Sequence, residues 1–204
     1  MTAVAARLVL ATANRGKLPE LARILADEHA DVALATLAEY PGAPSVAETG
    51  ATFAENALLK ARAIADFTGL PAVADDSGLC VDALNGMPGV LSARWSGRHG
   101  DDVANLNLVL AQVVDVPDER RGARFVCAAA LVVPGDAEQV REGVVAGRLI
   151  REPRGANGFG YDPIFVPDGY GVTTAEMDPA DKDKISHRGR ALRALAPEIR
   201  RSVR

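Results

Sequence analysis

The amino-acid sequence predicts an α/β fold, a mixed sheet with flanking helices, and three patterns support this prediction. Short apolar runs of β character alternate with amphipathic stretches in the first third of the chain. Two long strand-like stretches, 124–133 and 140–149, flank the turn Pro134-Gly135-Asp136, which predicts an antiparallel hairpin. Early β-α units followed by a long hairpin indicate a sheet with both parallel and antiparallel strands. We expect the hairpin to form a second lobe.

Local signals predict the first elements of this fold. Residues 7–11 form an apolar strand, and Pro19 suits the first turn of a helix that continues to Glu28. A second strand is predicted over 31–37. Thr52-Phe53-Ala54-Glu55 is a capping box that begins a long helix ending at Gly69.

The middle of the chain contains an acidic turn signal, Asp75-Asp76-Ser77-Gly78, which predicts two separate strands over 71–75 and 79–83. The stretch 101–114 predicts an amphipathic helix. Its expected buried stripe is Val103, Leu106, Leu110 and Val113.

The last third of the chain opens with a glycine-rich turn over 155–160, followed by a short strand over 163–166. A final helix is predicted to begin after Asp183. Its inward residues are Leu192, Leu195 and Ile199.

Composition narrows the class of protein. The chain has 204 residues, and 23 Lys+Arg against 27 Asp+Glu give a formal net charge of −4. That balance argues against binding nucleic acid through bulk positive charge. No apolar run near the start approaches the roughly 20 residues that span a bilayer, so we expect a soluble, cytoplasmic protein without membrane partners. We expect residues 1–204 to form one domain with two lobes and a cleft between them.

The two cysteines, Cys80 and Cys127, lie in apolar stretches without C-x-x-C spacing. This disfavours a zinc site or a disulfide framework and predicts buried free thiols.

The first candidate site is the motif Thr12-x-Asn14-x-x-Lys17, where a strand ends and a helix begins. Backbone N–H groups at a helix N-terminus favour an anion, and lysine adds a full charge, so the motif suits phosphate. It is not a P-loop, and ordinary helix capping is the alternative. Lysine is scarce, with four residues (17, 60, 182 and 184) against 19 arginines, which makes each lysine more informative.

The second candidate site combines Asp75 and Asp76 with Glu48 in the preceding loop. Magnesium is held by one or two carboxylates plus phosphate oxygens, and a carboxylate can orient or deprotonate water. Adjacent residues on a strand point to opposite faces, so only one of the two aspartates can face a given site. An ordinary acidic turn is the alternative.

Two further candidate sites lie in the last third of the chain. Glycines on both sides of Phe159 leave its ring free to stack on a flat heterocycle, although a core aromatic in a tight turn is the alternative. Residues 182–189 concentrate Lys, Ser, His and Arg donors that suit an anion or the carbonyl edge of a base. A solvated helix start is the alternative there.

Five motifs in order, from near the N-terminus to Gly189, closely resemble one family, the inosine/xanthosine triphosphate pyrophosphatases. The motifs are Thr12-x-Asn14-x-x-Lys17, Glu48-Thr49-Gly50 with Thr52-Phe53-x-Glu55-Asn56-Ala57 and Lys60, Asp75-Asp76-Ser77-Gly78-Leu79, Gly158-Phe159-Gly160-Tyr161-Asp162-Pro163, and Ser186-His187-Arg188-Gly189. The resemblance implies cleavage of a purine nucleoside triphosphate between the α- and β-phosphates, yielding monophosphate and pyrophosphate. It also implies Mg²⁺ as cofactor and a homodimer.

The resemblance also implies a role for each matching residue. Asp76 handles metal and water, and Glu48 contributes to the metal site. The residues that handle phosphates are Thr12, Ala13, Asn14, Arg15, Gly16, Lys17, Lys60 and Lys182. The residues that meet the nucleotide are Ser77, Phe159, Gly160, Tyr161, Asp162, His187 and Arg188, the last two near the base.

One departure from the family pattern is Ala47, where many relatives have a second acid beside Glu48, so the metal site relies on Glu48 alone or shifts toward Asp75 and Asp76. Arg188 either donates to the base O6, which would reject adenine, or binds phosphate. Guanine also carries O6, so the rejection of guanine needs another element.

Two alternative functions remain open. They are a pyrophosphatase for pyrimidine nucleotides and a nucleotide-binding regulatory module.

Overall fold

The computed structural model describes residues 7–12, 17–28, 32–136 and 138–202, and within them a six-stranded sheet is flanked by helices. The strands are β1 (Arg7–Leu10), β2 (Ala33–Thr36), β3 (Ala72–Val81), β4 (Gly122–Val132), β5 (Gln139–Leu149) and β6 (Phe165–Pro167). The helices are α1 (Lys17–Asp27), α2 (Phe53–Thr68), α3 (Asp102–Gln112), α4 (Pro179–Ile185) and α5 (His187–Ser202). Short 3₁₀ turns lie at Leu37–Glu39, Asp82–Leu84, Gly89–Arg94, Asp118–Arg120 and Asp162–Ile164.

The strand order is β2-β1-β3-β4-β5-β6. Strand β1 is parallel to both β2 and β3, whereas β5 and β6 are antiparallel. The predicted mixed α/β sheet is therefore confirmed. Within the described ranges, no helix combines the length and apolarity that crossing a membrane requires.

The chain is organised in two compact units. Unit 1 is formed by residues 1–76, 127–143 and 188–204, as far as they are described, and unit 2 by 77–126 and 144–187. The predicted hairpin is present as β4 and β5, but its turn half belongs to unit 1 and its other half to unit 2. It therefore contributes to both units and does not form a lobe of its own.

The core of unit 1 lies where α1 and α5 pack on the sheet. The inward residues predicted for α5, Leu192, Leu195 and Ile199, are buried in one cluster with Leu21 of α1 and Leu8 of β1. Their spacing of three to four residues places them on one stripe of each helix. Cys80 and Cys127 are buried free thiols, as predicted.

The core of unit 2 contains one face of α3, and here the predicted stripe was partly wrong. Leu106 and Val113 are buried as expected, but Val103 is 71% exposed. The inward position of the first turn is occupied by Asn105, which lies about 200° around the helix from Val103. The prediction assumed that inward positions are apolar, and a buried amide breaks that assumption.

Strand β3 is continuous, so the predicted break at the acidic turn was wrong. It runs from Ala72 to Val81 and carries Asp75 and Asp76 in its middle. Gly78 serves close packing there, because an added Cβ would lie 2.9 Å from the Cβ of Ser92. The turn-like composition therefore reflects buried ion pairs and a close approach of neighbouring chain.

Helix α2 begins and ends as its sequence predicts. Thr52 Oγ1 accepts a hydrogen bond from the Glu55 N–H at 3.1 Å, and Gly69 closes the helix in the left-handed conformation. Glu55 in turn accepts from the N–H of Ala51, one residue earlier than the standard capping box. The face of α2 that carries Asn56 and Lys60 meets β3, where both side chains bond Asp76.

A buried arginine stabilises the C-terminal end of α3. The Arg121 guanidinium donates to the backbone carbonyls of Leu149, Val113 and Ile150 at 3.0, 2.6 and 3.2 Å. Five N–H donors on a planar fork allow one side chain to satisfy several carbonyls at once. Arg121 thus joins the C-terminal end of α3 to the end of β5.

Candidate functional site

The two adjacent aspartates of β3 point to opposite faces, as predicted from strand geometry, and they have different partners. Lys17 Nζ donates to both carboxylate oxygens of Asp75 at 2.9 and 2.8 Å, and Arg188 Nε donates to Oδ2 at 3.1 Å. Asp76 instead accepts from Lys60 Nζ at 3.0 Å. Each carboxylate therefore has its own cations.

On the Asp76 face of β3, three residues with predicted roles lie together: the acid Asp76, the metal ligand Glu48 and the phosphate-binding Lys60. Lys60 Nζ donates to Glu48 Oε1 at 2.7 Å as well as to Asp76, and Asn56 Nδ2 donates to Asp76 Oδ2 at 3.1 Å. All four residues belong to unit 1, and three of them come from α2 and the loop before it. We refer to Glu48, Asn56, Lys60 and Asp76 as the acidic cluster.

The charges of the acidic cluster act on one another. Burial raises the pKa of Asp76, and the negative charge of Glu48 adds to this effect while Lys60 opposes it. Burial alone would lower the pKa of Lys60, but its attraction to Asp76 and its hydrogen bond to Glu48 are stronger, and its pKa is raised. A raised pKa makes the Asp76 carboxylate a stronger base than an exposed aspartate.

The acidic cluster has the donor chemistry that a hard divalent cation requires. Two carboxylates, Glu48 and Asp76, approach the same ammonium group. Magnesium is commonly held by one or two carboxylates while substrate phosphates supply further oxygens. Among the residues that the structure describes, no group of three or more His, Cys, Asp or Glu side chains converges. The protein can thus contribute two acids, and phosphate oxygens would complete such a site.

The Asp75 face is a buried ion-pair network. Burial by itself would raise the pKa of Asp75, but Lys17 and Arg188 are stronger and hold that pKa far below its usual range. Arg188 Nη1 also lies 3.5 Å from Glu20 Oε2. Asp75 is therefore an anion that positions two cations, and its role differs from that of Asp76.

The structure describes only part of the predicted phosphate motif Thr12-x-Asn14-x-x-Lys17. Lys17, the first residue of α1, bonds Asp75, and Thr12 is half-buried after β1. The motif residues 13–16 (Ala13, Asn14, Arg15 and Gly16) lie outside the described residues.

Unit 2 contains a cavity of about 130 Å³ that includes seven of the predicted substrate residues. They are Ser77, Phe159, Gly160, Tyr161, Asp162, Lys182 and His187. A single water needs roughly 10–15 Å³, so the cavity can accept a larger group. Lys182 belongs to this cavity in unit 2, whereas Lys17, Lys60 and Arg188 belong to unit 1.

Side-chain hydrogen bonds hold the loop that carries Phe159. Asp162 Oδ2 accepts from the Phe159 N–H at 2.9 Å and from Lys182 Nζ at 2.5 Å. Asp102 Oδ2, at the start of α3, accepts from the Gly160 N–H at 2.9 Å. Gly158 has a φ of +77°, and an added Cβ there would collide with the Asp162 carboxylate. The loop is thus held in one shape.

The Phe159 ring is 62% exposed, and Lys182 Nζ lies 5.4 Å from its centroid. An exposed aromatic ring at a cavity mouth offers a face on which a flat heterocycle can stack. On the cavity wall, His187 stacks on Phe125 with centroids 5.0 Å apart and planes 12° apart. The cavity therefore combines aromatic surfaces with a nearby cation.

The sequence interpretation assigned no role to several residues of these two sites, among them Asn56, Asp102, Asn105 and Phe125. Asn56 and Asp102 are hidden in helix-start signals, where polar residues are ordinarily read as caps. Phe125 and Asn105 lie within predicted apolar elements. The available signal was a polar residue at an inward helical position, which for Asn105 follows from its place four residues before Val109.

Comparison with known proteins identifies the family of this chain. A sequence profile of the Ham1 family matches residues 8–198. The dITP/XTP pyrophosphatase of Streptomyces coelicolor is 60% identical over 194 residues, covering 95% of this chain and 97% of that protein. The dITP/XTP pyrophosphatase of Nocardia farcinica is 63% identical over 195 residues, covering 95% of each.

Solved structures show the same fold. The nucleoside-triphosphatase / dITP/XTP pyrophosphatase of Mycobacterium abscessus is similar with a TM-score of 0.81 and 58% identity, over 95% of this chain and 99% of that one. A Ham1 protein from Coxiella burnetii is similar with a TM-score of 0.88 and 43% identity, over 95% and 98%. Since sequence and fold agree over nearly the whole length, this chain belongs to the Ham1 family.

Proposed function

We propose that the chain hydrolyses non-standard purine nucleoside triphosphates (ITP, dITP and XTP) to the monophosphate and pyrophosphate, removing them from the cytoplasmic nucleotide pool. The observation that carries this proposal is the acidic cluster, in which Glu48 and Asp76 share Lys60. Support for the substrate comes from relatives at 60% and 63% identity that are named dITP/XTP pyrophosphatases.

The acidic cluster supplies the groups that water attack on a phosphoanhydride needs. Asp76 orients a water molecule and accepts its proton as the water oxygen attacks the α-phosphorus, on the side opposite the α–β bridging oxygen. The bond to that bridging oxygen breaks, and pyrophosphate leaves. Asn56 holds the Asp76 carboxylate in place through its bond to Oδ2.

Charge neutralisation is the second requirement, because a triphosphate brings about four negative charges to a protein of net charge −4. Glu48 and Asp76 would hold Mg²⁺, which supplies positive charge to the phosphate oxygens. Lys60 and Lys17 add fixed positive charges on the two faces of β3.

The cavity of unit 2 suits the purine base of such a substrate. Phe159 would stack on the purine, and Lys182 would lie close to the ring. Hypoxanthine and xanthine carry a keto oxygen at position 6 where adenine carries an amino group, so hydrogen-bond donors in this cavity favour these bases over adenine.

The first prediction tests the reaction itself. The purified protein with Mg²⁺ should convert ITP and XTP to monophosphate and pyrophosphate, and EDTA should abolish turnover because without the cation Glu48 and Asp76 only add negative charge beside the phosphates. Anion-exchange chromatography of the products measures this. Stepwise release of orthophosphate would contradict α–β cleavage. A preference for pyrimidine triphosphates would favour a pyrophosphatase for pyrimidine nucleotides. Tight binding without turnover would favour a nucleotide-binding regulatory module.

The second prediction concerns the acid. Asp76→Asn should lower kcat by about 100-fold or more, because the amide cannot accept the proton from water. The matched control is Asp66→Asn, an exposed acid of the same unit on α2, which should retain wild-type turnover. Near wild-type turnover of the Asp76 variant, with an unchanged melting temperature, would transfer the role to Asp75.

The third prediction separates base recognition from phosphate binding. Phe159→Ala should weaken the binding of every purine triphosphate by about 1–3 kcal/mol, since every base has a π face. The order of their affinities should stay the same. The contacts of Arg188 with Asp75 and Glu20 favour its phosphate-side alternative. Arg188→Ala should therefore reduce kcat/KM for ITP, XTP, GTP and ATP alike. A selective loss for ITP and XTP would instead assign Arg188 to the base.

The fourth prediction concerns assembly, for which we propose a homodimer on the family resemblance. The apolar residues of β4 are covered within the chain itself, so the hairpin adds no argument for a second copy. Light scattering at micromolar concentration should give twice the 21.4 kDa of one chain. A mass equal to one chain would reject the dimer.

A further inference from the structure

Asn105 is a buried amide in the wall of the unit 2 cavity. It lies in the first turn of α3, is 1% exposed and lines the cavity beside Asp102 and Tyr161. Its Oδ1 accepts a hydrogen bond from the Ser96 N–H at 2.7 Å. That bond determines which end of the amide is the acceptor, so the Nδ2 group is the donor that remains.

Within the part of the chain that the structure describes, Asn105 Nδ2 is buried and has no hydrogen-bond partner. Buried amide donors in folded proteins nearly always have a partner, because an unsatisfied donor loses its hydration without compensation. A buried donor on a cavity wall is therefore a group that a ligand in that cavity can satisfy.

Two other polar side chains of this wall, Asp162 and Tyr161, are already engaged. The two Asp162 oxygens accept from Thr174 Oγ1 at 2.8 Å and from Lys182 and the Phe159 N–H. Tyr161 donates its hydroxyl to the Ser92 carbonyl at 2.9 Å. Asn105 differs from them because its donor is uncommitted.

We propose that Asn105 is a specificity-determining residue whose Nδ2 donates a hydrogen bond to a keto oxygen of the bound purine. This inference rests on the proposed function, since it assumes that the cavity receives the base. Hypoxanthine has a keto oxygen at position 6, and xanthine has keto oxygens at positions 2 and 6. Adenine presents an amino group at position 6 and guanine one at position 2, and an amino group facing Nδ2 places two donors together. Asn105 therefore disfavours an amino-bearing base at the position that it reads.

The isosteric exchange Asn105→Asp tests this, because it replaces the donor with an acceptor at the same place. If Nδ2 reads position 6, the ratio of kcat/KM for ITP to that for ATP should fall at least about tenfold, and if it reads position 2, the ratio for XTP to that for GTP should fall by as much, because one hydrogen bond provides that discrimination. A gain for ATP would identify position 6 as the position that is read, and a gain for GTP would identify position 2. Asn107→Asp, on the exposed face of the same helix, is the matched control and should leave both ratios unchanged.

A second variant and a second measurement keep the test decisive. Asn105→Ala removes the donor without adding charge, so it should lower kcat/KM about tenfold for ITP and much less for ATP if position 6 is read, or about tenfold for XTP and much less for GTP if position 2 is read. Calorimetric affinities for IMP, XMP, AMP and GMP report the same discrimination without hydrolysis, so they test Asn105 even if wild-type protein does not turn over ITP. Equal losses for all nucleotides in both variants, accompanied by a lower melting temperature, would overturn the proposal and leave Asn105 as a structural link to Ser96.

Discussion

Two carboxylates that follow one another on a buried strand cannot face the same side, and the site in unit 1 is arranged around this constraint. Asp75 and Asp76 lie in the middle of β3, where side chains alternate between faces. A buried carboxylate requires cations or donors of its own, so each face of the strand supplies a separate set. A shift of β3 by one residue would exchange the two acids between these sets.

The two faces give two chemically different aspartates from the same residue type. Lys17 and Arg188 hold the pKa of Asp75 far below its usual range, which makes it a permanent anion. Burial and the charge of Glu48 raise the pKa of Asp76, which makes it the more basic of the two. Under the proposed function, proton transfer would fall to Asp76 and the positioning of cations to Asp75, so the two roles would not compete.

The sequence predicted the elements whose signals are local, and it missed those that depend on distant partners. The caps of α2 and the inward stripe of α5 were predicted because Thr52, Gly69 and Leu192 act within their own helices. The continuity of β3 was not predicted, since Gly78 resembles a turn residue until Ser92 is known to lie against it. Likewise, Asp102 is an ordinary helix-start acid until its bond with Gly160, 58 residues away, is seen. The division of the predicted residues between a phosphate-side cluster and a cavity also depends on such long-range contacts.

The boundaries between the two units fall inside the strands of the sheet, and this limits how the protein can be divided or extended. The chain passes from one unit to the other at 76–77 in β3, 126–127 in β4 and 143–144 in β5, and again at 187–188 in the first turn of α5. No single cut separates the two units, because every fragment that contains the whole of one unit also carries part of the other. A truncation after residue 187 would remove from unit 1 the helix that completes its core. Insertions or circular permutations are therefore best tolerated in exposed turns such as Pro134-Gly135-Asp136, where the chain stays within one unit.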